Sequence, residues 1–327
     1  MSKPIPNPRP HPRRQFLKAA TLGLGTSTIA ATAQVSAQEP PAEKPDRRHS
    51  IGVSTYSYWG FGRHDEFKPI EKCIDMAAEQ GFEGVEILQV QMEDFSNAYA
   101  QKLKRHAFLN GLPLMGLSTH QDFVDPDPYV RRHNVEQTIF YVEQAYSMGI
   151  PTIRINTGRW GTSKNFDELM ANKGIEPNLE GHTDEEGYKW VIDSIEKLVP
   201  AAEKCGVILG LENHWGLGLT PEGVMKIVDA IDSPWLQVTL DTGNFLEDPY
   251  PKQAMLAPKT VLLQAKTYFG DDGKLDGRWY ELDIDYAKVA AGLQKAGFKG
   301  WISLEYEGNG SPTLGCARSL QLLRKHF

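Results

Sequence analysis

Leu209-Gly-Leu-Glu-Asn-His214 is a short apolar run that ends in a carboxylate, and three later runs end in the same way. Val238-Thr-Leu-Asp241, Leu262-Leu-Gln264 and Ile302-Ser-Leu-Glu305 each place an oxygen donor after a few apolar residues and before a polar segment. Donors on four successive strands meet only if those strands lie side by side. The fold therefore turns on whether the rest of the chain supplies more strands of the same kind.

It does. Eight apolar runs, at 51–56, 84–88, 113–120, 152–156, 207–214, 236–241, 261–268 and 301–307, alternate with segments of helical period. Such alternation argues for repeated βα units and a parallel sheet, and eight units in about 275 residues is the size of a (β/α)8 barrel. The intervening stretches 68–80, 95–110, 129–148, 184–204, 221–231, 285–295 and 311–325 read as helices, with a short uncertain one near 252–257. Gly81, Gly111, Gly149 and Gly297 stand just past four of them as stop signals.

Parity within the strands sharpens the choice, because side chains alternate between barrel interior and helix layer. Taking Glu212 as inward sends Gly210 and His214 inward too, while Leu209 and Leu211 face the helices. Asp241 and Thr239 oppose Leu240 and Val238; Gln264, Lys266 and Tyr268 oppose Leu263 and Val261; Glu305 and Glu307 oppose Leu304 and Ile302. Earlier strands sort likewise, with Tyr56, Glu86, His120, Arg154 and Asn156 on the inner face. An open doubly wound sheet would have two apolar faces on its central strands. One polar face throughout selects the closed TIM barrel, a single domain over residues 50–327.

The 327-residue chain is 40% hydrophobic and 24% charged, an ordinary globular balance. Its N-terminus differs: Pro12-Arg-Arg-Gln-Phe-Leu-Lys18 precedes an Ala/Gly/Thr-rich run to Ala33, and Val35-Ser-Ala37 offers a small-residue cleavage site. This order of parts resembles a twin-arginine export signal over residues 1–37, followed by a Pro-rich linker at 38–49. The apolar run is too short and too interrupted to span a bilayer, so no stable membrane anchor is expected after cleavage. The export machinery is then a partner and the periplasm the expected location. Removal of the signal leaves 30 basic residues against 42 acidic, or −12. An acidic body argues against nucleic acid as a partner. Cys73, Cys205 and Cys316 are odd in number and widely spaced, which suits buried small residues better than a disulfide framework.

In a barrel the strand ends and the loops after them form the functional face. Burying Glu212, Asp241 and Glu305 together would cost several kcal/mol for each unpaired charge, a cost that a divalent cation removes. Three carboxylates and the Gln264 amide oxygen are hard ligands suited to Mn²⁺ or Mg²⁺, with softer Zn²⁺ or Co²⁺ as further candidates. Glu86, His120, Asn156, His214, Asn244, Lys266 and Tyr268 are the expected substrate contacts. His120 and His214 read equally as core histidines, and Lys266 as a neutraliser of carboxylates. Arg154 reads as a structural ion pair or as a catalytic group. Trp160, Trp215 and Tyr268 either stack on a sugar or cap the rim. The long loops at 157–183 and 269–281 are candidate lids.

Gly210-Leu-Glu-Asn-His214, Leu240-Asp-Thr-Gly-Asn244, Gln264-Ala-Lys-Thr-Tyr268 and Leu304-Glu305 resemble, in order and strand placement, the metal-site motifs of the xylose-isomerase-like TIM barrels grouped as sugar phosphate isomerases/epimerases. The resemblance implies a metal held by Glu212, Asp241, residue 264 and Glu305, with the two glutamates exchanging protons on the two sides of a ketose. Gln264 and Asn244 depart from it, since that family usually has His at 264 and often at 244.

The expected activity is a metal-dependent isomerase or epimerase that moves a proton beside the carbonyl of a non-phosphorylated sugar or keto-sugar. A lyase or hydratase acting on keto-glycosides or cyclitols is the alternative within the same chemistry. A non-catalytic periplasmic sugar-binding protein is the alternative of another class. The related apurinic endonuclease branch would need a His-rich site and a basic groove. The chain leaves room for a homo-oligomer.

Overall fold

The computed structural model describes residues 49–62, 67–277 and 282–327. The expected export signal and the linker up to residue 48 lie outside them. Eight parallel strands close into one barrel: β1 (Ile51–Ser54), β2 (Val85–Leu88), β3 (Leu114–Ser118), β4 (Thr152–Ile155), β5 (Ile208–Glu212), β6 (Leu236–Asp241), β7 (Thr260–Thr267) and β8 (Trp301–Tyr306). Closure runs through β1 and β8, which pair Ile51 with Ile302 and Val53 with Leu304.

The helices are α1 (Tyr56–Trp59), α2 (Ile70–Gln80), α3 (Asn97–Leu109), α4 (Pro128–Met148), α5 (Phe166–Ala171), α6 (Asp184–Glu196), α7 (Val199–Cys205), α8 (Pro221–Ile231), α9 (Pro249–Leu256), α10 (Tyr286–Ala296) and α11 (Pro312–His326). No helix among the described residues is long and apolar enough to cross a membrane. The outward strand residues Val53, Ile87, Leu117, Ile153, Leu209, Leu211, Val238, Leu263 and Leu304 are fully buried in one continuous apolar shell between strands and helices. Each such side chain contributes about 1.5–3 kcal/mol relative to exposure. Strand parity thus holds all round the barrel, which commits the other face of every strand to the interior.

Three departures from the sequence reading have local causes. The helix expected over 184–204 is two, because Pro200 sits in the first turn of α7, where it lacks an N–H and blocks continuation from α6. The first strand ends at Ser54 rather than Tyr56, and the chain turns at once into α1. The long loop 157–183 contains α5, started by the Asn165 side chain accepting from Glu168 N. Of the loop 269–281, the described part is pinned by antiparallel bridges between Phe269 and Leu275 and between Gly277 and Gly308. All three cysteines are free, with Cys73 and Cys316 buried and Cys205 half-buried.

Candidate active site

The barrel interior carries an acidic stack. Deepest is Glu86 on β2, fully buried, whose carboxylate accepts from Ser118 Oγ at 2.6 Å and Ser303 Oγ at 2.5 Å. Gly116 leaves the room for it, since a Cβ there would stand 3.2 Å from Glu86 Cγ. Burial raises the Glu86 pKa, and Glu305 adds to the rise. Gln264 on β7 lies above, its Nε2 donating to Glu86 Oε1 (3.1 Å), Ser118 Oγ (3.2 Å) and Glu305 Oε1 (3.0 Å).

Asp241 ends β6 and is oriented by its neighbours. Asn213, just past β5, clasps its backbone, with Nδ2 donating to Asp241 O and Oδ1 accepting from Asp241 N at 2.7 Å. Gly243 N donates to Asp241 Oδ1, so Oδ2 is the oxygen turned to the interior. Glu212 Oε1 accepts from Asn244 Nδ2 at 3.3 Å, and its Oε2 lies 3.4 Å from Arg154 Nε. Desolvation pushes the Glu212 pKa up to about 7 against the opposing pull of Arg154, while Glu305 adds to the rise. Burial likewise raises Asp241, with Lys266 opposing.

Lys266 is the cation amid this set. Its Nζ lies 2.8 Å from Glu305 Oε2, 2.8 Å from Glu307 Oε1 and 3.4 Å from Asp241 Oδ2. Burial opposes its charge, yet Asp241, Glu305 and Glu307 together hold its pKa well above the usual lysine value. Tyr56 OH also donates to Glu307 Oε1, at 2.8 Å.

Above the stack opens a cavity of about 460 Å³. Glu212, Glu305, Glu307, Lys266, Arg154, Asn244, His120, His214 and Tyr56 line it together with Phe61, Leu88, Arg159, Phe166 and Trp215. Burial lowers the His120 pKa to about 3 and takes His214 well below its ordinary value, with Arg154 the next cause for each. Both rings are therefore neutral at physiological pH.

Of the expected substrate contacts, His120, His214, Asn244 and Lys266 line this cavity. Glu86, Asn156 and Tyr268 do not. Glu86 is too deep, and Asn156 is spent on Gln121, whose backbone N donates to Asn156 Oδ1 at 3.0 Å. Tyr268 packs its hydroxyl against Gly243. Trp215 reaches the cavity, whereas Trp160 lines a separate hollow and donates its indole N–H to Asp184. Arg159, Phe61, Phe166 and Leu88 were not foreseen. Arg159 is held at the rim by Glu176, which also accepts from Gly161 N and Ser163 N and so knits the loop 157–183.

Of the four expected cation ligands, Glu212 and Glu305 reach the cavity wall, while Asp241 and Gln264 are fully buried. Among the described residues, no three His, Cys, Asp or Glu side chains are gathered as they would be around an ion. Lys266 stands between Asp241 and Glu305 instead. The donor chemistry nevertheless fits a hard cation. Glu212 Oε2, Asp241 Oδ2 and Gln264 Oε1 are each buried without a hydrogen bond, one oxygen from each of three expected ligands. Arg154 and Lys266 stand 3.4 Å from the first two and offset part of their charge without bonding them, while the Gln264 oxygen is left with an unmet acceptor's cost.

Solved structures of the same fold include 3-keto-D-glucoside 4-epimerase YcjR from E. coli (TM-score 0.66, 17% identity, covering 85% of this chain and 100% of that one). D-psicose 3-epimerase from Clostridium cellulolyticum H10 aligns with TM-score 0.61 and 17% identity over 85% and 95% of the two chains. An L-ribulose 3-epimerase gives 0.64 and 15% over 85% and 95%. Identities this low establish the fold alone. Uncharacterized protein MJ1311 of Methanocaldococcus jannaschii is 26% identical over 145 residues, 42% of this chain, and the match spans half the length of that relative. The family model for the xylose isomerase-like TIM barrel matches residues 74–326, and the chain belongs to that family.

Proposed function

We propose that this protein is a divalent-cation-dependent enzyme of the sugar isomerase or epimerase type, moving a proton beside the carbonyl of a non-phosphorylated sugar or keto-sugar. The observation that carries the reading is the pair Glu212 and Glu305 on the wall of one cavity, with the orphaned oxygens of Glu212, Asp241 and Gln264 beneath it. Solved neighbours named as epimerases of 3-keto-D-glucoside, D-psicose and L-ribulose support it. Glu212, Asp241, Gln264 and Glu305 would hold the cation, Mn²⁺ or Mg²⁺ by their hardness. When bound, it supplies positive charge that polarises a carbonyl and stabilises the enediolate.

The chain's own groups divide the remaining work. Glu212, on the cavity wall and held by Asn244, is placed to take or give the proton. Glu305, facing the same cavity and fixed by Gln264 and Lys266, is its partner for proton return. Lys266 donates to a substrate oxygen that gains charge as the proton leaves. Neutral His120 and His214 serve as hydrogen-bonding groups for hydroxyls, and Asn244 keeps Glu212 in place. The same first step leads to elimination where a leaving group sits beside the carbanion, which is the lyase alternative.

The test is solvent exchange. Mature protein loaded with Mn²⁺ is incubated in D₂O with a panel of keto-sugars and 3-keto-glycosides, and products are read by mass and retention. Deuterium next to the carbonyl without other mass change supports epimerisation, and loss of water or aglycone moves the reading to lyase. Ligand-dependent thermal stabilisation without exchange on any member would replace the enzyme with a sugar-binding protein. We place its action in the periplasm on the strength of residues 1–37, a reading checked by the N-terminal mass of the secreted form.

A further inference from the structure

The rim of the cavity has a feature that sugar chemistry on the floor does not use. Gly60, Phe61 and Gly62 are three consecutive left-handed residues, with φ of 57°, 56° and 81°. For the glycines this conformation is free, but for Phe61 it is strained. Burial does not repay that strain, since the Phe61 side chain is 54% exposed. Its ring touches Tyr56 (5.5 Å between centroids) and His120 (6.1 Å), both cavity residues, so the turn holds it at the mouth. Phe166, 39% exposed on the same cavity, is the first residue of α5, whose start is fixed by the Asn165 cap.

The cavity is thus of two chemistries. Glu212, Arg154, Glu305 and Lys266 are all at most 8% exposed and form a charged floor, whereas two half-exposed phenyl rings from separate loops stand at the opening, with Leu88 and Trp215 in the same wall. At about 460 Å³ the space lies in the range of pockets that enclose drug-sized ligands. Phe61, Phe166 and Leu88 offer no hydrogen bond to the hydroxyls of a second sugar ring, and Arg159 beside them is engaged by Glu176, so this part of the rim suits an apolar ring better.

We propose that Phe61 and Phe166 form an aglycone subsite, so that the substrate class is a keto-glycoside carrying an aromatic aglycone. The inference rests on the sugar reading of the floor and narrows it. Aromatic contacts of this kind are worth about a tenfold change in affinity.

Binding of phenyl β-D-glucopyranoside and methyl β-D-glucopyranoside to the Mn²⁺-loaded full protein, by calorimetry, tests it, with Phe61→Gly and Phe166→Ala as variants. Phe61→Gly suits the left-handed turn, so it melts no lower than wild type and any loss is not a folding defect. The expected result is about tenfold tighter binding of the phenyl glycoside, a preference removed by each variant with methyl glycoside affinity unchanged. Equal affinity of wild type for both glycosides overturns the subsite and leaves the sugar reading standing. A phenyl preference untouched in both variants also overturns it. Failure of both glycosides to bind overturns the subsite, while the sugar reading is judged by deuterium exchange on the keto-sugar panel.

Discussion

Replacing Lys266 by Met removes one charge from the most crowded part of the molecule. Its ammonium lies 2.8 Å from both Glu305 and Glu307 and 3.4 Å from Asp241, and the residue is 8% exposed. Without it, three carboxylates face one another with water largely excluded. Breaking a buried pair in this way costs about 3–5 kcal/mol, because the unpaired charge keeps its desolvation penalty. For a domain of this size that lowers the melting temperature by about 10 °C. The loss is greatest at high pH and shrinks as pH falls, because burial raises the Asp241 pKa and its protonation removes a charge that Lys266 opposed. Adding Mn²⁺ raises the melting temperature of Lys266→Met more than that of wild type, as an external cation replaces the missing internal one. Differential scanning fluorimetry at two pH values, with and without the ion, reads all of this. A variant melting within 2 °C of wild type at pH 8 would mean that Lys266 does not neutralise these carboxylates.

Further outcomes follow from other parts of the site. The His120 and His214 rings keep neutral NMR shifts as pH falls from 8 to 5, because burial lowers both pKa values; a midpoint above 5 for either would contradict the burial argument. Glu176→Ala frees Arg159 and the backbone at Gly161 and Ser163, so limited proteolysis cuts within 157–183 faster than in wild type while the barrel's circular dichroism is unchanged. Gly210→Ala puts a Cβ 2.2 Å from Thr239 Oγ1 inside the barrel, an overpacking worth about 1–3 kcal/mol in denaturant unfolding.

The barrel was legible because the period-two alternation fixes which face of each strand is buried, and all eight strands appear within one or two residues of their expected ends. Direction came from that parity, but depth did not. Glu86, Asn156 and Tyr268 have the inward parity of Glu212 and Lys266, yet the pairing of Glu86 with Ser118 and Ser303 and of Asn156 with Gln121 keeps them off the cavity. Depth depends on strand register and tilt, which a single strand's sequence does not encode. Phe61, Arg159 and Phe166 come from loops, where no period marks a side chain as facing the site. Only Gly60-Phe61-Gly62, a large apolar residue between two glycines, offered a hint. Asn213 carried no role in the sequence reading, because nothing in the pattern of one strand shows that the residue just past it clasps the backbone of Asp241 on the next.

In the proposed enzyme, inward oxygens of positions 212, 241, 264 and 305 make one cation site under a sugar cavity. Calorimetric titration of chelator-treated protein with Mn²⁺ measures this directly. The expected result is one ion per chain, lost in Asp241→Asn and weakened in Gln264→Leu, with Glu176→Ala binding as wild type does. Absence of binding to the wild type, or equal binding by Asp241→Asn, would contradict it.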